Sequence, residues 1–183
     1  MATIAQQIVT AEQLLQTPGL GRCELVRGEL IMMTPAGFDH GSIVAIVSFF
    51  LSGFVREHHL GRVTGAETGF QIGRNPDTVR APDVALVRAE RVLPGPIPGF
   101  FQGPPDLAVE VLSPGDRAGE VLDKVQQWLD AGCQAVWLID PQRRSVAVYD
   151  AQQHQVLRSD TDEVTGGELL PGFRLRLAEI FSC

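Results

Sequence analysis

The sequence predicts a mixed α/β domain in which helices lie against a central sheet. Three observations carry this. Leu107 to Leu112 and Ala135 to Ile139 are nearly unbroken apolar runs of strand length, the mark of strands covered on both faces. Between them Val121, Leu122, Val125, Trp128 and Leu129 recur at helical spacing, giving strand, helix, strand. A longer helical pattern precedes the whole unit, so helices are available to cover the sheet.

In chain order, Thr10 caps a short helix that stops before Thr17-Pro18-Gly19. Cys23 to Val26 and Glu29 to Met33 flank Arg27-Gly28, a two-residue connection that closes a hairpin and puts Glu24 on a strand. After the breaker Thr34-Pro35-Ala36-Gly37, apolar residues from Ile43 to Val55 follow a helical period, predicting the longest helix from His40 to His59. Arg62 to Ile72 and Val84 to Val87 read as two strands separated by the turn-rich Gly73 to Asp77, with Asp83 at the entry of the second. Leu93 to Pro105, dense in Pro and Gly and containing Phe100 and Phe101, reads as a surface excursion, with a lid or partner contact as the alternative. Ser113 and Asp116 form a capping-box pattern that predicts a helix starting there and ending at Gly132. At about 100° per residue, Lys124 lies roughly 40° outside the apolar arc of that helix, on the Trp128 side, where helix meets sheet. Ser145 to Tyr149 and Gln155 to Arg158 alternate like an antiparallel extension.

The chain of 183 residues is expected to form one domain over residues 1–183. With 44% hydrophobic and 20% charged residues, neither disorder nor a disulfide scaffold is indicated. Cys23, Cys133 and Cys183 lack metal-site spacing and are odd in number, which fits a reducing cytoplasm. Met1 to Gln7 has no signal-peptide pattern, and no later apolar run is expected to reach bilayer length, so no membrane association is expected. The net charge of −7 argues against a surface that grips a polyanion as a whole, so DNA binding would need a local basic patch. A site assembled from carboxylates around a divalent cation is compatible with that charge, because the ion reverses the local sign.

Two residues stand out chemically. Lys124 is the only lysine; every other basic side chain is arginine. Lysine differs from arginine in offering a compact ammonium with a tunable pKa. Glu110 is a carboxylate inside a buried strand, where an unpaired charge is costly, so it needs a partner. Either it pairs with Arg80, Arg117 or Lys124, or it converges with Asp83 on a hard divalent cation, most simply Mg²⁺. In the second case Lys124 orients or deprotonates the attacking water. Glu24 reads equally as a further acidic member or as a hairpin carboxylate paired with arginine, and His40 as a helix cap, a packing residue or a base. Arg143, Arg144, Arg174 and Arg176, with Arg56, Arg62, Arg74, Arg80, Arg88 and Arg91, are either a phosphate-tracking face or ordinary solvated and ion-paired arginines. Gly-x-Ser-x-Gly, Walker and GxGxxG patterns are absent, so acyl transfer and nucleotide-loop chemistry have no sequence support.

Nearly end to end, the chain resembles the Uma-type endonuclease family of the PD-(D/E)xK restriction-endonuclease-like superfamily. The resemblance rests on Cys23 to Leu30, Pro35 to His40, Ala81-Pro82-Asp83-Val84, Pro105 to Pro114, Asp123-Lys124, Gly132, Trp137 to Pro141 and Leu170-Pro171-Gly172-Phe173. It implies a restriction-endonuclease-like α/β (α+β) core, a mixed central sheet flanked by helices, with an added N-terminal hairpin and C-terminal antiparallel strands. It implies Asp83 and Glu110 as metal ligands for Mg²⁺, with Mn²⁺ as an alternative, DNA as substrate, and leaves a homodimer open. The lysine of the superfamily pattern, two residues after the glutamate, is Leu112 here. Lys124 stands where a lysine moved onto the following helix would be. The resemblance therefore implies Asp83, Glu110, Lys124 and Glu24 as the catalytic set of a metal-dependent endonuclease. The alternatives are a catalytically inert oligomeric or nucleic-acid-associated module that keeps the fold, and hydrolysis of another phosphoester.

Overall fold

The computed structural model describes residues 10–150 and 154–182. Met1 to Gln7 and Cys183, on which two of the expectations above rest, lie outside the described residues. In order, the elements are α1 (Ala11–Gln16), β1 (Cys23–Val26), β2 (Glu29–Met32), α2 (Phe38–Glu57), β3 (Gly61–Gly65), β4 (Phe70–Gly73), β5 (Thr78–Arg80), β6 (Val84–Arg88), a 3-10 turn (Ala89–Arg91), β7 (Phe101–Gln102), β8 (Leu107–Val111), α3 (Ala118–Asp130), β9 (Ala135–Asp140), β10 (Ser145–Asp150), β11 (His154–Leu157), β12 (Glu163–Gly166), β13 (Leu170–Arg176) and α4 (Leu177–Ile180).

The centre is a six-stranded sheet of order β11-β10-β9-β8-β6-β3. Within it only β8 and β9 run parallel, and α3 is the crossover between them. Side-chain alternation along the strands divides the core into two layers. Val84, Leu86, Leu107, Val109 and Val111 pack toward the Ile43, Val47, Leu51 and Val55 stripe of α2. Ala85, Val87 and Ala108 pack toward Val125 and Trp128 of α3. A second sheet of order β2-β1-β5-β4-β7 flanks the first. It buries Leu25 and Val79 with Ala11 and Leu14 of α1, which Thr10 caps as expected.

The hairpin forms as the sequence predicts: Val26 faces Glu29, and Arg27 and Gly28 both take positive φ, the requirement of a tight two-residue turn. Elsewhere the expectations need correction. Arg62 to Ile72 is two strands, β3 and β4, which belong to different sheets; the chain crosses between layers at Ala66 to Gly69. Ser113 and Asp116 do not start α3. The Asp116 carboxylate accepts from Ser113 N at 2.7 Å and the Asp116 N–H donates to Ser113 O, closing a turn ahead of a helix whose N-cap, Arg117, makes no side-chain cap. Leu93 to Gly99 is largely exposed, in keeping with a surface excursion, while Phe100 and Phe101 pack against two cores and Phe101 joins β4 as part of β7. The expectation that no apolar run reaches bilayer length is also corrected. By length and composition alone α2, with 20 residues, is long and apolar enough to cross a membrane; in the structure its Ile43, Val47, Leu51 and Val55 stripe is buried against the central sheet.

Candidate active site

Alternation on β8 aims Glu110 at α3, on the face opposite Val109 and Val111. Two α3 side chains four residues apart, and so on one helical face, meet it there. Lys124 Nζ lies 2.9 Å from Glu110 Oε2, and Trp128 Nε1 donates to Glu110 Oε1 at 2.9 Å. Lys124 also reaches Glu24 Oε1 on β1 at 3.3 Å. Glu24 is held further by the Ala81 N–H at 2.9 Å and by Arg80 Nη1 at 2.6 Å, while Gln127 of α3 accepts from Arg80 Nε and Nη2. Of the partners foreseen for Glu110, Lys124 is the one in contact; Arg80 serves Glu24 instead.

Asp83 stands just ahead of β6 and beside the end of β8. Its N–H donates to Val109 O, and its Oδ2 accepts from Val111 N at 2.9 Å, so the side chain continues the ladder by one rung. Arg22 Nη2 donates to Asp83 Oδ1 at 3.0 Å, and His40 Nε2 lies 3.2 Å from Oδ2. His40, in the first turn of α2, is thus a buried partner of Asp83 rather than a helix cap. Glu24, Asp83, Glu110 and Lys124, with Arg22, Arg80 and His40, line one open cavity of about 590 Å³. Arg22, Trp128 and Gln127 were missed as site residues from sequence. Trp128, four residues after Lys124, carried a usable signal in its helical register; Arg22, outside β1 and paired with the remote Asp83, carried none.

Burial dominates the electrostatics. Burial, added to repulsion from Asp83 and Glu24, raises the Glu110 pKa to about 7 despite Lys124. Burial also works against charge on Lys124, yet Glu110 and Glu24 outweigh it and hold its pKa above the usual lysine value. For Asp83 burial is offset by His40 and the Val111 N–H, and for Glu24 by Lys124 and Arg80, so both carboxyls titrate below their ordinary range. The hydrogen bond to Asp83 raises the pKa of His40. Three carboxylates face Arg22, Arg80 and Lys124, and each is matched by a cation.

Asp83 and Glu110 offer hard oxygen donors from adjoining strands to the same cavity, the chemistry Mg²⁺ takes, and Mg²⁺ is commonly held by one or two carboxylates with water and phosphate completing its shell. Among the described residues no group of three His, Cys, Asp or Glu side chains is arranged to hold a metal. Asp83 and Glu110 are the pair that would hold such an ion, and each of their four oxygens already has a partner: Arg22 on Asp83 Oδ1, His40 and the Val111 N–H on Oδ2, Trp128 on Glu110 Oε1 and Lys124 on Oε2. Of the two readings of the arginine set, most members follow the ion-paired one. Arg143 binds Asp140, Arg144 binds Asp160, Arg174 binds Glu163, Arg176 binds Glu179, Arg88 binds Glu90 and Arg91 binds Asp106.

A mixed sheet flanked by helices, with carboxylates on adjoining strands at one edge of the cleft, is the restriction-endonuclease-like arrangement. The family model described as "Uma2: Putative restriction endonuclease" matches residues 11–178, and the chain belongs to that family. A crystal structure from Anabaena variabilis, described as a putative nuclease belonging to DUF820, shares the fold. Its TM-score is 0.82 at 24% sequence identity, over 95% of this chain and 98% of that one. No curated protein matches.

Proposed function

We propose that the chain, as a single domain over residues 1–183, is a divalent-cation-dependent phosphodiesterase of endonuclease type acting on DNA. The observation that carries this reading is the meeting of Asp83, Glu110 and Lys124 in one open cleft. Membership of a restriction-endonuclease family supports the reaction class. Asp83 and Glu110 are the proposed ligands, and Glu24 the further acidic member of the set. A bound Mg²⁺, or Mn²⁺, would supply positive charge for phosphate oxygens and a water of lowered pKa. Lys124, kept charged by Glu110 and Glu24, acts as a donor that orients the attacking water and offsets phosphate charge; it is not a base. Glu24 steadies that ammonium together with Glu110, and Trp128 fixes the Glu110 carboxylate.

Asp83→Asn, Glu110→Gln and Lys124→Met should each lower cation-dependent cleavage of duplex DNA by at least about 100-fold, with the circular dichroism spectrum unchanged. Cleavage surviving all three substitutions would overturn the proposal, and a panel of DNA, RNA and small phosphodiesters would define the substrate.

A second reading is favoured by one observation: each of the three buried carboxylates, Asp83, Glu24 and Glu110, is already paired with a cation. In that reading the cluster is structural and the chain is an inert module with the nuclease fold. Calorimetric titration with Mg²⁺ or Mn²⁺ separates the two, since binding that depends on Asp83 and Glu110 is expected only of the enzyme.

A further inference from the structure

The cations of the cleft are not held equally. Arg80 donates to Glu24 through Nη1 and to Gln127 through both Nε and Nη2. Lys124 sits between two carboxylates. Among the described residues Arg22 makes a single side-chain hydrogen bond, to Asp83 Oδ1. Its Nε–H is buried and, among the described residues, has no partner. A buried donor left unmet is unfavourable, so this guanidinium is the one with most to gain from another acceptor. Its backbone is fixed, because Arg22 O accepts from Met33 N. Its side chain has room to turn, for it stands in the wall shared by the site cavity and a second cavity of about 590 Å³ lined by Leu20, Met32, Met33 and Val44.

The charge balance indicates the acceptor. Asp83 is faced by Arg22 at Oδ1 and by His40 at Oδ2, while Lys124 and Arg80 offset Glu110 and Glu24, so a divalent cation engaging Asp83 adds positive charge beside the guanidinium and repels it from Oδ1. A planar guanidinium with several free N–H groups is suited to two oxygens of a phosphodiester. On the reading given under Proposed function, we propose that Arg22 is a phosphate-binding residue. It holds Asp83 in the free protein and exchanges that carboxylate for non-bridging oxygens of the substrate phosphodiester when Asp83 engages a divalent cation.

The test uses the full chain with Ca²⁺ in place of Mg²⁺, a labelled duplex oligonucleotide followed by fluorescence anisotropy over a salt series, and calorimetric Ca²⁺ titration without DNA. Arg22→Gln should bind Ca²⁺ at least as tightly as the parent, since a competitor of the ion is gone. It should bind DNA about ten-fold more weakly, with the slope of log K against log salt reduced by about 0.9, the loss of one phosphate contact. Arg22→Lys should keep the slope and lose part of the affinity, because the charge stays and the fork is lost; it also serves if Arg22→Gln melts early. A parent slope in Arg22→Gln, parent affinity in Arg22→Lys, or joint loss of Ca²⁺ and DNA binding would overturn the assignment. If Arg22 fails while the parent still binds Ca²⁺ and cleaves DNA with Mg²⁺, the proposed function stands alone. If the parent binds neither Ca²⁺ nor DNA, both fall.

Discussion

Lys124 joins buried carboxylates from two sheets, Glu110 on the central one and Glu24 on the other, and is itself half-buried between them. Removing one member of a buried charged group leaves the others without compensation, which typically costs about 3–5 kcal/mol. Lys124→Met should therefore destabilise the protein by about 3 kcal/mol at pH 8 in urea unfolding. The cost should shrink toward pH 5, because Glu110, already raised to about 7, then accepts a proton and needs no partner. Trp128→Phe, which deletes one buried donor to Glu110 and replaces the buried indole by a smaller aromatic ring, should cost at least about 1–2 kcal/mol. His40 carries a pH signature of its own. Its folded pKa lies above the ordinary 6.5, so the folded state holds the proton more tightly, and its stabilisation is full below pH 6.5 and lost as pH rises through the folded value. In chelator, His40→Gln should remove that share of the decline in melting temperature above pH 6.5; an unchanged decline would show that the His40 contact to Asp83 contributes nothing. Lys124 was legible in sequence because its rarity and its helical register agreed. Arg22 was not, since its role depends on Asp83, which is remote in sequence and is brought close only by the packing of the two sheets.

The elements that position the site differ in how they could be read. β8, α3 and β9 announce themselves because two buried strands and an amphipathic helix have distinct periods. The hairpin does so because Arg27-Gly28 permits positive φ at both turn residues. β5 is three residues long, too short for a period, yet it supplies Arg80 to Glu24. β3 and β4 merged in the sequence because a run of strand-like residues says nothing about which sheet each half joins. One close approach fixes where β3 begins. Gly61 pairs with Arg88 of β6, and a Cβ on Gly61 would overlap the Val87 carbonyl oxygen. Gly61→Ala should accordingly destabilise the protein by about 3 kcal/mol, as steric overpacking does, and shift the urea midpoint. Gly65→Ala, at the other end of β3 with open space around its Cα, should stay close to the parent.

At the scale of the whole molecule, an acidic protein is asked to approach an acidic polymer. With a net charge of −7, and with most surface arginines neutralised by neighbouring carboxylates, long-range attraction to DNA is not available from the surface at large. The cations of the cleft are engaged by its carboxylates, Arg22 and His40 by Asp83, Arg80 by Glu24 and Lys124 by Glu110 and Glu24, and Asp116, Glu120 and Asp123 stand on its walls, so without a divalent ion it offers a phosphate little attraction. On the proposed reading the ion is therefore a condition of DNA binding and not only of cleavage. Ca²⁺ added at constant ionic strength should raise the affinity for duplex DNA at least about ten-fold in anisotropy titrations. Asp83→Asn with Glu110→Gln removes two of the negative charges yet should abolish the Ca²⁺ response. That combination is diagnostic. A generic charge effect predicts that the double variant, less acidic than the parent, binds DNA better with or without Ca²⁺, whereas a cation bridging the carboxylate pair and the phosphate predicts that only the parent answers to the ion. If the parent binds duplex DNA equally well in chelator and in Ca²⁺, the carboxylate pair plays no part in binding, and the structural reading of the cluster gains the ground the enzymatic one loses.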